Sequence, residues 1–426
     1  MIRKTLFAAL LASSASLAAA QTTPATTTPT VVAPQAAPAA APDPARLAAA
    51  RQFVDAALPP GMIERAMVEG FRAAAREELA DPERARRDPH LAERIRLSEP
   101  VVIAEARRIL TDLDPSARAV LADFYARRMS AAELDEGSRF FAGATGRRFY
   151  EGVFRLALSD EYNRAMQALA PEAMAAVAGI EQRFAALRAE MPPIPGMPNP
   201  PAAAPGARAS DKAPPVRVVP SRASSPAAAA APAGPAPDPV RLAAARRMLD
   251  AMWPSDLVSR PLNLLPTVEM LIAIRFGDFG IPIPPTAPVN ANSTAAELAT
   301  AFDPHFRARL PVLTRFAGAE LARLMTGIEP AWKRVSAPLY AREFTAAELD
   351  SMTSFFASPA GRRLAEESYR AYEDAQLVRG LVMLVPRIAL QVPAAAQRVE
   401  QATAHLPPPT PPAPEATPPI SDGDDD

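Results

Sequence analysis

Cysteine is absent from this chain of 426 residues, and histidine is nearly absent. Without cysteine there is neither a disulfide framework nor a lipid anchor on a leading cysteine, so stability must come from a buried core. The three histidines, His90, His305 and His405, show no metal-ligand spacing. Glycine-rich phosphate loops are also missing, and no nucleophile stands beside a base in a catalytic sequence context. We therefore expect no metal, no cofactor and no catalytic residue.

Excess charge and long apolar runs are missing as well. The chain has 46 Lys and Arg against 47 Asp and Glu, and a net charge of −1 gives no general electrostatic reason to bind nucleic acid. The most apolar run, residues 377–392, is interrupted by Arg379, Pro386 and Arg387 and is shorter than the about 20 residues of a membrane span. We expect a core helix kinked at Pro386 and no transmembrane span in the mature chain. Shallow membrane-surface contact or an exposed partner groove is the alternative.

Residues 1–20 have the features of a secretory signal peptide. Arg3 and Lys4 give a charged start, a short apolar run follows, and three alanines ending at Ala20 fit the small-residue cleavage rule. The alternative, a buried N-terminal helix, is disfavoured because the polar Thr/Pro-rich tract that follows cannot pack over it. We predict cleavage after Ala20 and a periplasmic or secreted mature protein.

The 50 prolines are clustered rather than evenly spread. This matters because each proline inside a helix costs about 3 kcal/mol or more. Segments 21–42, 191–237 and 403–426 are rich in Pro and lack apolar periodicity, so we predict two disordered linkers and a Pro-rich acidic tail. The aspartates that close the tail are expected to aid solubility, with metal binding as the alternative. Between these segments lie two predicted domains, 43–190 and 238–402.

The two predicted domains read as copies of one all-α unit. Asp43-Pro44 and Asp238-Pro239 open them as a helix cap followed by proline, at an offset of 195, and later matches are offset by 215. The second copy therefore carries an insertion, placed near 277–292, where Gly and Pro break any helix. Chance alignment of Ala/Arg-rich helices is the alternative, but the matches include His, Phe-Phe, Tyr and Pro. We expect six or seven helices in each copy.

One motif stands out in both copies. It occupies residues 129–148 and 344–363. Ser130 with Glu133, and Thr345 with Glu348, have the spacing of a capping box at a helix start. This structural role is sufficient for both glutamates, and a catalytic carboxylate is the alternative.

Paired phenylalanines follow on the predicted motif helix. They are Phe140 and Phe141 in the first copy and Phe355 and Phe356 in the second. Helical spacing places them with neighbouring Leu and Met on an apolar face, where burial of each ring contributes about 1.5–3 kcal/mol. We expect core packing, with an aromatic ligand pocket as the alternative.

A helix-to-helix turn closes the motif. Ser358 is a candidate cap, Pro359 suits the first helical position, and Gly361 permits the close approach of another helix. The first copy lacks the Ser-Pro pair but keeps a glycine, Gly146.

An arginine pair follows the turn in each copy. The pairs are Arg147 with Arg148 and Arg362 with Arg363. We expect a solvated face on which Arg147 pairs with Glu151, and Arg362 with Glu366, one turn along the helix. A docking patch for an acidic partner is the alternative, and these arginines are the candidate interaction residues.

The pattern Phe-Thr-x-x-Glu-Leu-x5-Phe-Phe-x-Ser-Pro-x-Gly-Arg in residues 344–362 resembles an uncharacterised bacterial family. Its members are exported, mostly periplasmic helical domains of unknown function. The first copy, 130–148, looks like a degenerate member because it lacks Ser-Pro. The resemblance implies a helical fold and an envelope location, and it carries over no catalytic role.

These observations favour a non-enzymatic exported protein that interacts with an envelope protein or the envelope itself. Two copies of a module joined by a long spacer suit a target with repeated binding sites. Once one module has bound, the tether raises the effective concentration of the other module at the next site. The alternative is a carrier of an apolar ligand between helices, near Phe355, Phe356 and residues 381–384. A hydrolase that uses Glu348 and His305 is the least supported alternative.

Overall fold

The computed structural model describes residues 42–157, 159–177, 179–191, 236–279 and 290–408. Over these ranges the chain is helical apart from turns and one isolated bridge between Arg275 and Thr294, which confirms the all-α prediction. The predicted signal peptide and most of both linkers, the insertion and the tail lie outside the described residues.

Nine α-helices are described in each half of the chain, more than the six or seven predicted. In the first half they are α1 Pro44–Ala57, α2 Met62–Ala80, α3 Pro82–Arg87, α4 Leu91–Arg128, α5 Ala131–Ala142, α6 Ala144–Ala157, α7 Asp160–Gln167, α8 Ala170–Val177 and α9 Ile180–Glu190. In the second half they are α10 Pro239–Met252, α11 Ser255–Val258, α12 Leu265–Ala273, α13 Ala295–Phe302, α14 Phe306–Glu343, α15 Ala346–Ala357, α16 Pro359–Arg370, α17 Ala375–Val382 and α18 Val385–Thr403. Several neighbouring helices are separated by only one to three residues, and hydrophobic periodicity does not resolve such breaks.

Asp-Pro pairs set two of the helix starts, as the sequence predicts. Asp43 accepts hydrogen bonds from the N–H groups of Ala45 and Arg46, at 2.7 and 3.2 Å, and Pro44 opens α1. Asp238 accepts from the N–H of Val240 at 2.8 Å at the start of α10. Proline fits here because the first helical N–H has no partner within the helix.

Two compact units are present, and their boundaries differ from the predicted domains. Among the described residues, the smaller unit contains 60–115 and 387–408, and the larger contains 42–59 and those between 116 and 386. Helices α1 and α5–α9 of the first copy therefore share the larger unit with α10–α17 of the second. The structure does not show two separate domains divided at 191–237.

The larger unit is organised around one hydrophobic core to which both motif copies contribute. Helix α1 packs on α5, and α10 packs on α14 and α15. The two sets of side chains join in a single cluster, which includes Phe53, Leu134, Phe141, Met248, Leu349, Met352, Phe355 and Phe356. Each fully buried side chain of this size contributes about 1.5–3 kcal/mol, so the core binds the two halves of the chain together.

Contacts between the motif copies are reciprocal. Arg148 donates a hydrogen bond to the carbonyl of Glu343 at 2.8 Å, and Arg363 donates to the carbonyl of Arg128 at 3.1 Å. Positions 148 and 363 correspond at the offset of 215, and so do 128 and 343. Such paired exchange is the contact pattern of a two-fold interface. Within the larger unit, residues 129–148 and 344–363 thus contact neighbouring positions of each other in a reciprocal way.

The smaller unit is held partly by ion pairs between its own helices. Arg398 of α18 lies 2.6 Å from Glu105 of α4, and Arg107 of α4 lies 2.8 Å from Glu64 of α2. Its apolar core is modest and includes Met62, Ile109, Leu113, Ala395 and Val399.

The apolar run near residues 377–392 forms two helices instead of one kinked helix. Helix α17 ends at Val382, and α18 begins at Val385, so Pro386 lies in a first helical turn, where proline is tolerated. The stretch Ala375–Thr403 has the length and mean hydropathy, 1.4, of a membrane span, and only 11% of the apolar window is buried. A core helix would be mostly buried, so the prediction of core packing does not describe this stretch.

Candidate functional site

An apolar cavity of about 710 Å³ lies within the larger unit. Its wall combines side chains from the first motif copy with side chains from the second copy and the segment before it. The aromatic lining residues are Phe53, Tyr125, Phe141, Phe149, Tyr150, Trp253, Phe356, Tyr369 and Tyr372. We call this space the aromatic cavity.

Helix periodicity explains how the motif contributes to the wall. Phe141 of α5 and Phe356 of α15 occupy equivalent positions in their copies and line the cavity. Phe140 and Phe355, one residue earlier, are not lining residues, and their rings stack on each other with centroids 4.0 Å apart. Neighbouring residues on a helix point about 100° apart, so one phenylalanine of each pair forms the wall and the other joins the copies.

The segment that differs most between the copies supplies the rest of the wall. In the second copy, short helices and loops between α10 and α14 contribute Trp253, Leu262 and Leu264, and α14 contributes Leu321 and Met325. In the first copy, the corresponding stretch between α1 and α4 forms the long helix α2 and belongs to the smaller unit. The wall of the aromatic cavity therefore depends on a segment for which the first motif region has no equivalent in the larger unit.

Tyrosine is concentrated at the cavity. Four of the six tyrosines in the chain line it: Tyr125, Tyr150, Tyr369 and Tyr372. The hydroxyl of Tyr369 donates to the carbonyl of Val258 at 3.2 Å. Burial raises the pKa of Tyr125, whose hydroxyl also hydrogen-bonds Ser368. Burial also raises the pKa of Tyr150. These hydroxyls are therefore neutral hydrogen-bonding groups at ordinary pH.

No Asp, Glu, Lys, Arg or His side chain lines the aromatic cavity as the structure describes it. The lining also lacks a nucleophile beside a base, the arrangement that covalent catalysis requires. Ligand sites in proteins have volumes of about 300–1,000 Å³ and apolar walls with a few polar groups. The cavity matches that description, so its chemistry suits the binding of a neutral, mainly apolar molecule.

The predicted capping boxes are both present, at helix starts and away from the cavity. The side chain of Glu133 accepts from the N–H of Ser130 at 2.8 Å, and the serine hydroxyl accepts from the N–H of Glu133 at 3.3 Å. Thr345 and Glu348 repeat this exchange with the same distances. Neither glutamate lines the cavity, so the structure gives both a capping role.

The motif glycines permit close contact between consecutive helices. A Cβ atom on Gly146 would lie 2.2 Å from the carbonyl oxygen of Phe140, and one on Gly361 would lie 2.0 Å from that of Phe355. Both distances are far below van der Waals contact. Only glycine therefore fits at these positions without a backbone shift.

Ser358 and Pro359 start α16 as predicted. The serine hydroxyl accepts from the N–H of Gly361 at 3.2 Å, and proline takes the first helical position. The same hydroxyl donates to Glu136 of the first copy at 2.6 Å. The cap thus also joins the two motif copies.

The four candidate arginines divide into two kinds. Arg148 pairs with Glu343 at 2.7 Å and lies over the ring of Phe344, 5.4 Å from its centroid. Arg363 pairs with the buried Glu367 at 2.8 Å. These two arginines, at equivalent positions, are engaged in contacts between or within the copies.

Arg147 and Arg362 are exposed. Arg147 donates to the carbonyl of Ala142 at 2.6 Å. The expected pair between Arg362 and Glu366 is not among the ion pairs of the described residues, because Glu366 instead lies 3.3 Å from both Arg260 and Arg363. The docking patch for an acidic partner stays a prediction.

The histidines do not form a site. His90 and His305 are both exposed. Across the described ranges, no group of three or more His, Asp or Glu side chains is arranged to hold a metal ion. The aspartate of each Asp-Pro-His sequence instead pairs with an arginine: Asp88 with Arg94 and Asp303 with Arg309, both at 2.9 Å.

Two buried carboxylates lie beside the motif. Burial would raise the pKa of Asp374, but hydrogen bonds from the N–H of Leu377 and from Arg128, with the charge of Arg127, outweigh burial and lower it. Burial raises the pKa of Glu367, and the charges of Arg363 and Arg128 only partly offset this effect. Neither oxygen of Glu367 makes a hydrogen bond of good geometry, although its distance to Arg363 is short.

The tyrosines and Trp253 are the site residues that the sequence did not reveal. Their neighbours come from distant segments, as when Tyr369 bonds Val258 across 111 positions. One available signal was the rarity of tyrosine, since Tyr125, Tyr150, Tyr369 and Tyr372 lie in or beside the motif copies.

Comparison with known proteins gives one family match. Residues 333–382 match a family described as "Uncharacterized protein conserved in bacteria (DUF2059)". This stretch includes α15–α17 and therefore the second motif copy, so its similarity to a bacterial domain of unknown function is confirmed. The chain matches no curated protein and no solved structure.

Proposed function

We propose that this chain is a helical binding protein that takes a neutral, mainly apolar ligand into the aromatic cavity. The observation that carries the proposal is a cavity of about 710 Å³ whose lining is apolar and aromatic and contains no charged side chain. Phe356 lines the aromatic cavity, whereas Leu381 and Leu384, which the apolar-ligand hypothesis also named, do not.

Burial of apolar ligand surface in the cavity is sufficient to give a measurable binding affinity. A ligand that buries about 400 Å² of apolar surface gains on the order of 10 kcal/mol at about 25 cal/mol per Å². Association and ordering costs reduce this gain by several kcal/mol. Dissociation constants on the order of micromolar are therefore attainable without any ionic contact.

Uptake of diphenylhexatriene, a neutral fluorescent hydrocarbon, tests the proposal. Ala365 lines the cavity, and Ala357 is exposed on the preceding helix. Ala365→Phe fills part of the cavity and should weaken probe binding at least about tenfold, since lost contacts of 1.4 kcal/mol suffice for that factor. Ala357→Phe adds the same ring at the surface and should leave binding unchanged. Absence of probe binding, or equal binding by both variants, would contradict the proposal.

A second candidate function is contact with a membrane surface through Ala375–Thr403. Its support is the low burial of this apolar stretch, in which Leu390 is 68% exposed, together with nearby Arg379 and Arg387. Apolar side chains flanked by basic residues are typical of helices that lie in a membrane interface. In flotation with anionic phospholipid vesicles, Leu390→Asp should reduce binding, whereas Leu79→Asp, at another exposed leucine, should not. Equal flotation of both variants would argue against this candidate.

We also propose that the mature chain is exported and that its halves arose by duplication. Export is supported by the charged start and Ala-rich cleavage site in residues 1–20. Duplication is supported by equal lengths of 38 residues for α4 and α14 and of 12 residues for α5 and α15, at the offset of 215. Mass analysis of the protein from a bacterial periplasmic fraction should find Gln21 as the first residue, and an intact Met1 would exclude this cleavage.

A further inference from the structure

The hydroxyl of Tyr150 differs from the other hydroxyls on the wall of the aromatic cavity. Tyr125 bonds Ser368, Tyr369 bonds the carbonyl of Val258, and Tyr372 is 66% exposed, so water can satisfy it. Tyr150 is half-buried on the cavity wall, and its hydroxyl makes no hydrogen bond to another residue that the structure describes. This hydroxyl can therefore donate to, or accept from, an oxygen of a ligand in the cavity.

The ring of Tyr150 is held in place by aromatic neighbours. Its centroid lies 5.0 Å from that of Phe141 and 5.6 Å from that of Phe149. Both neighbours also line the cavity. Because these contacts limit ring movement, the hydroxyl cannot readily turn away to find another partner.

We infer that Tyr150 is the polar anchor of the aromatic cavity and that its ligand is a neutral amphiphile with one hydroxyl or carbonyl oxygen bonded there. This inference rests on the proposed function and narrows its ligand class. A ligand oxygen at this position satisfies the unpartnered hydroxyl, while the rest of the ligand contacts the apolar wall. Sites that hydrogen-bond a ligand group strongly reject analogues that lack it.

Charge favours an uncharged head group over a carboxylate. No cationic side chain lines the cavity as the structure describes it. A carboxylate in such surroundings loses its hydration and gains no ion pair, a penalty of several kcal/mol. A long-chain alcohol therefore fits the site better than the corresponding fatty acid anion.

Competition between diphenylhexatriene and two ten-carbon ligands, decanol and decanoate, tests the inference. The parent protein should bind decanol more tightly than decanoate at neutral pH. Tyr150→Phe should weaken decanol binding about tenfold or more and leave binding of the hydrocarbon probe unchanged. Tyr162→Phe is the matched control, because Tyr162 does not line the cavity, and it should change the binding of neither ligand.

The outcomes distinguish failure of the Tyr150 anchor from failure of the proposed function. If the probe binds but Tyr150→Phe leaves decanol affinity unchanged, the anchor is wrong and the proposed function stands. If decanoate binds as tightly as decanol, the inference that the ligand has a neutral head group is wrong. If the parent protein does not take up the probe, the proposed function fails first. Should Tyr150→Phe not fold, a comparison of decanol with decane in the parent protein tests the inference, because decane lacks the hydroxyl. Equal affinity for the two ligands would then overturn the inference.

Discussion

Phe140 and Phe355 stack face to face, with ring centroids 4.0 Å apart and ring planes within 3° of parallel. They occupy the same position in the two motif copies, 215 residues apart. Equivalent residues contact each other only at the axis of a two-fold arrangement. The crossed pairs agree with this geometry, since Phe141–Phe355 and Phe140–Phe356 lie at 5.5 and 6.3 Å. The stack therefore marks the centre of the contact between the copies.

Removal of this stack should destabilise the larger unit. Phe355→Ala is expected to cost about 3–5 kcal/mol, because it deletes a buried ring and leaves a cavity. In a double-mutant cycle with Phe140→Ala, the coupling energy should be about 0.5–1.5 kcal/mol, which is typical of aromatic pairs. Urea unfolding measures both quantities. Phe184→Ala, at a ring that is 38% exposed, is the control and should cost much less; fully additive effects of the two stack mutations would contradict direct pairing.

The local parts of this contact could be predicted from the sequence. The capping boxes of Ser130 and Thr345, the apolar faces of α5 and α15, and the need for Gly146 and Gly361 all depend on residues within a few positions of one another. The stack itself could not be predicted, because it joins side chains from distant segments whose pairing no local spacing specifies. The assignment of both copies to one core was missed for the same reason.

The cavity was less predictable than the core. A phenylalanine that lines the cavity, such as Phe356, and one that is packed behind it, such as Phe355, have the same local sequence pattern. Their difference depends on Trp253 and Leu262, which approach from a segment that has no close counterpart in the first copy. Periodicity identifies buried faces, but it does not show where opposing faces leave space between them.

Gly361 should not tolerate a side chain. Gly361→Ala would place Cβ 2.0 Å from the carbonyl oxygen of Phe355, so α15 and α16 must separate, at a cost of about 1–3 kcal/mol or more. The control is Gly327→Ala, at an exposed position inside α14, which should stabilise the protein by about 0.5–1 kcal/mol through helix propensity. Thermal unfolding compares the two variants. Equal melting temperatures for Gly361→Ala and the parent would show that the helices do not approach this closely.

The two arginines of the first motif copy should differ in their contribution to stability. Arg148→Ala removes an ion pair with Glu343, a hydrogen bond to its carbonyl and a contact with Phe344, and should cost about 1–3 kcal/mol. Arg147→Ala, at the exposed neighbour, should change stability by no more than about 0.5 kcal/mol. Chemical denaturation checks the difference. The same cost for both variants would place the two side chains in one surface network rather than in separate roles.

The contributions of Asp374 and Glu367 to the free energy of unfolding should change with pH in opposite directions. Hydrogen bonds and arginine charge lower the pKa of Asp374 in the folded protein, so its contribution is present above its unfolded pKa of about 3.9 and is lost as the pH falls through the folded value. Burial raises the pKa of Glu367, so its contribution is present below its unfolded pKa of about 4.3 and is lost as the pH rises through the folded value.

Two isosteric variants separate these effects. Asp374→Asn should be less stable than the parent at pH 7, by about 1.5–3 kcal/mol for hydrogen bonds to a charged group, and the difference should shrink as the medium is acidified below about pH 4. Glu367→Gln should match the parent in acid and become the more stable protein as the pH rises, because glutamine avoids burial of a charge whose oxygens lack well-aligned hydrogen bonds. Urea unfolding across this pH range measures both differences. A Glu367→Gln variant that is less stable than the parent at pH 7 would show that Arg363 and Arg128 outweigh the cost of burying the glutamate.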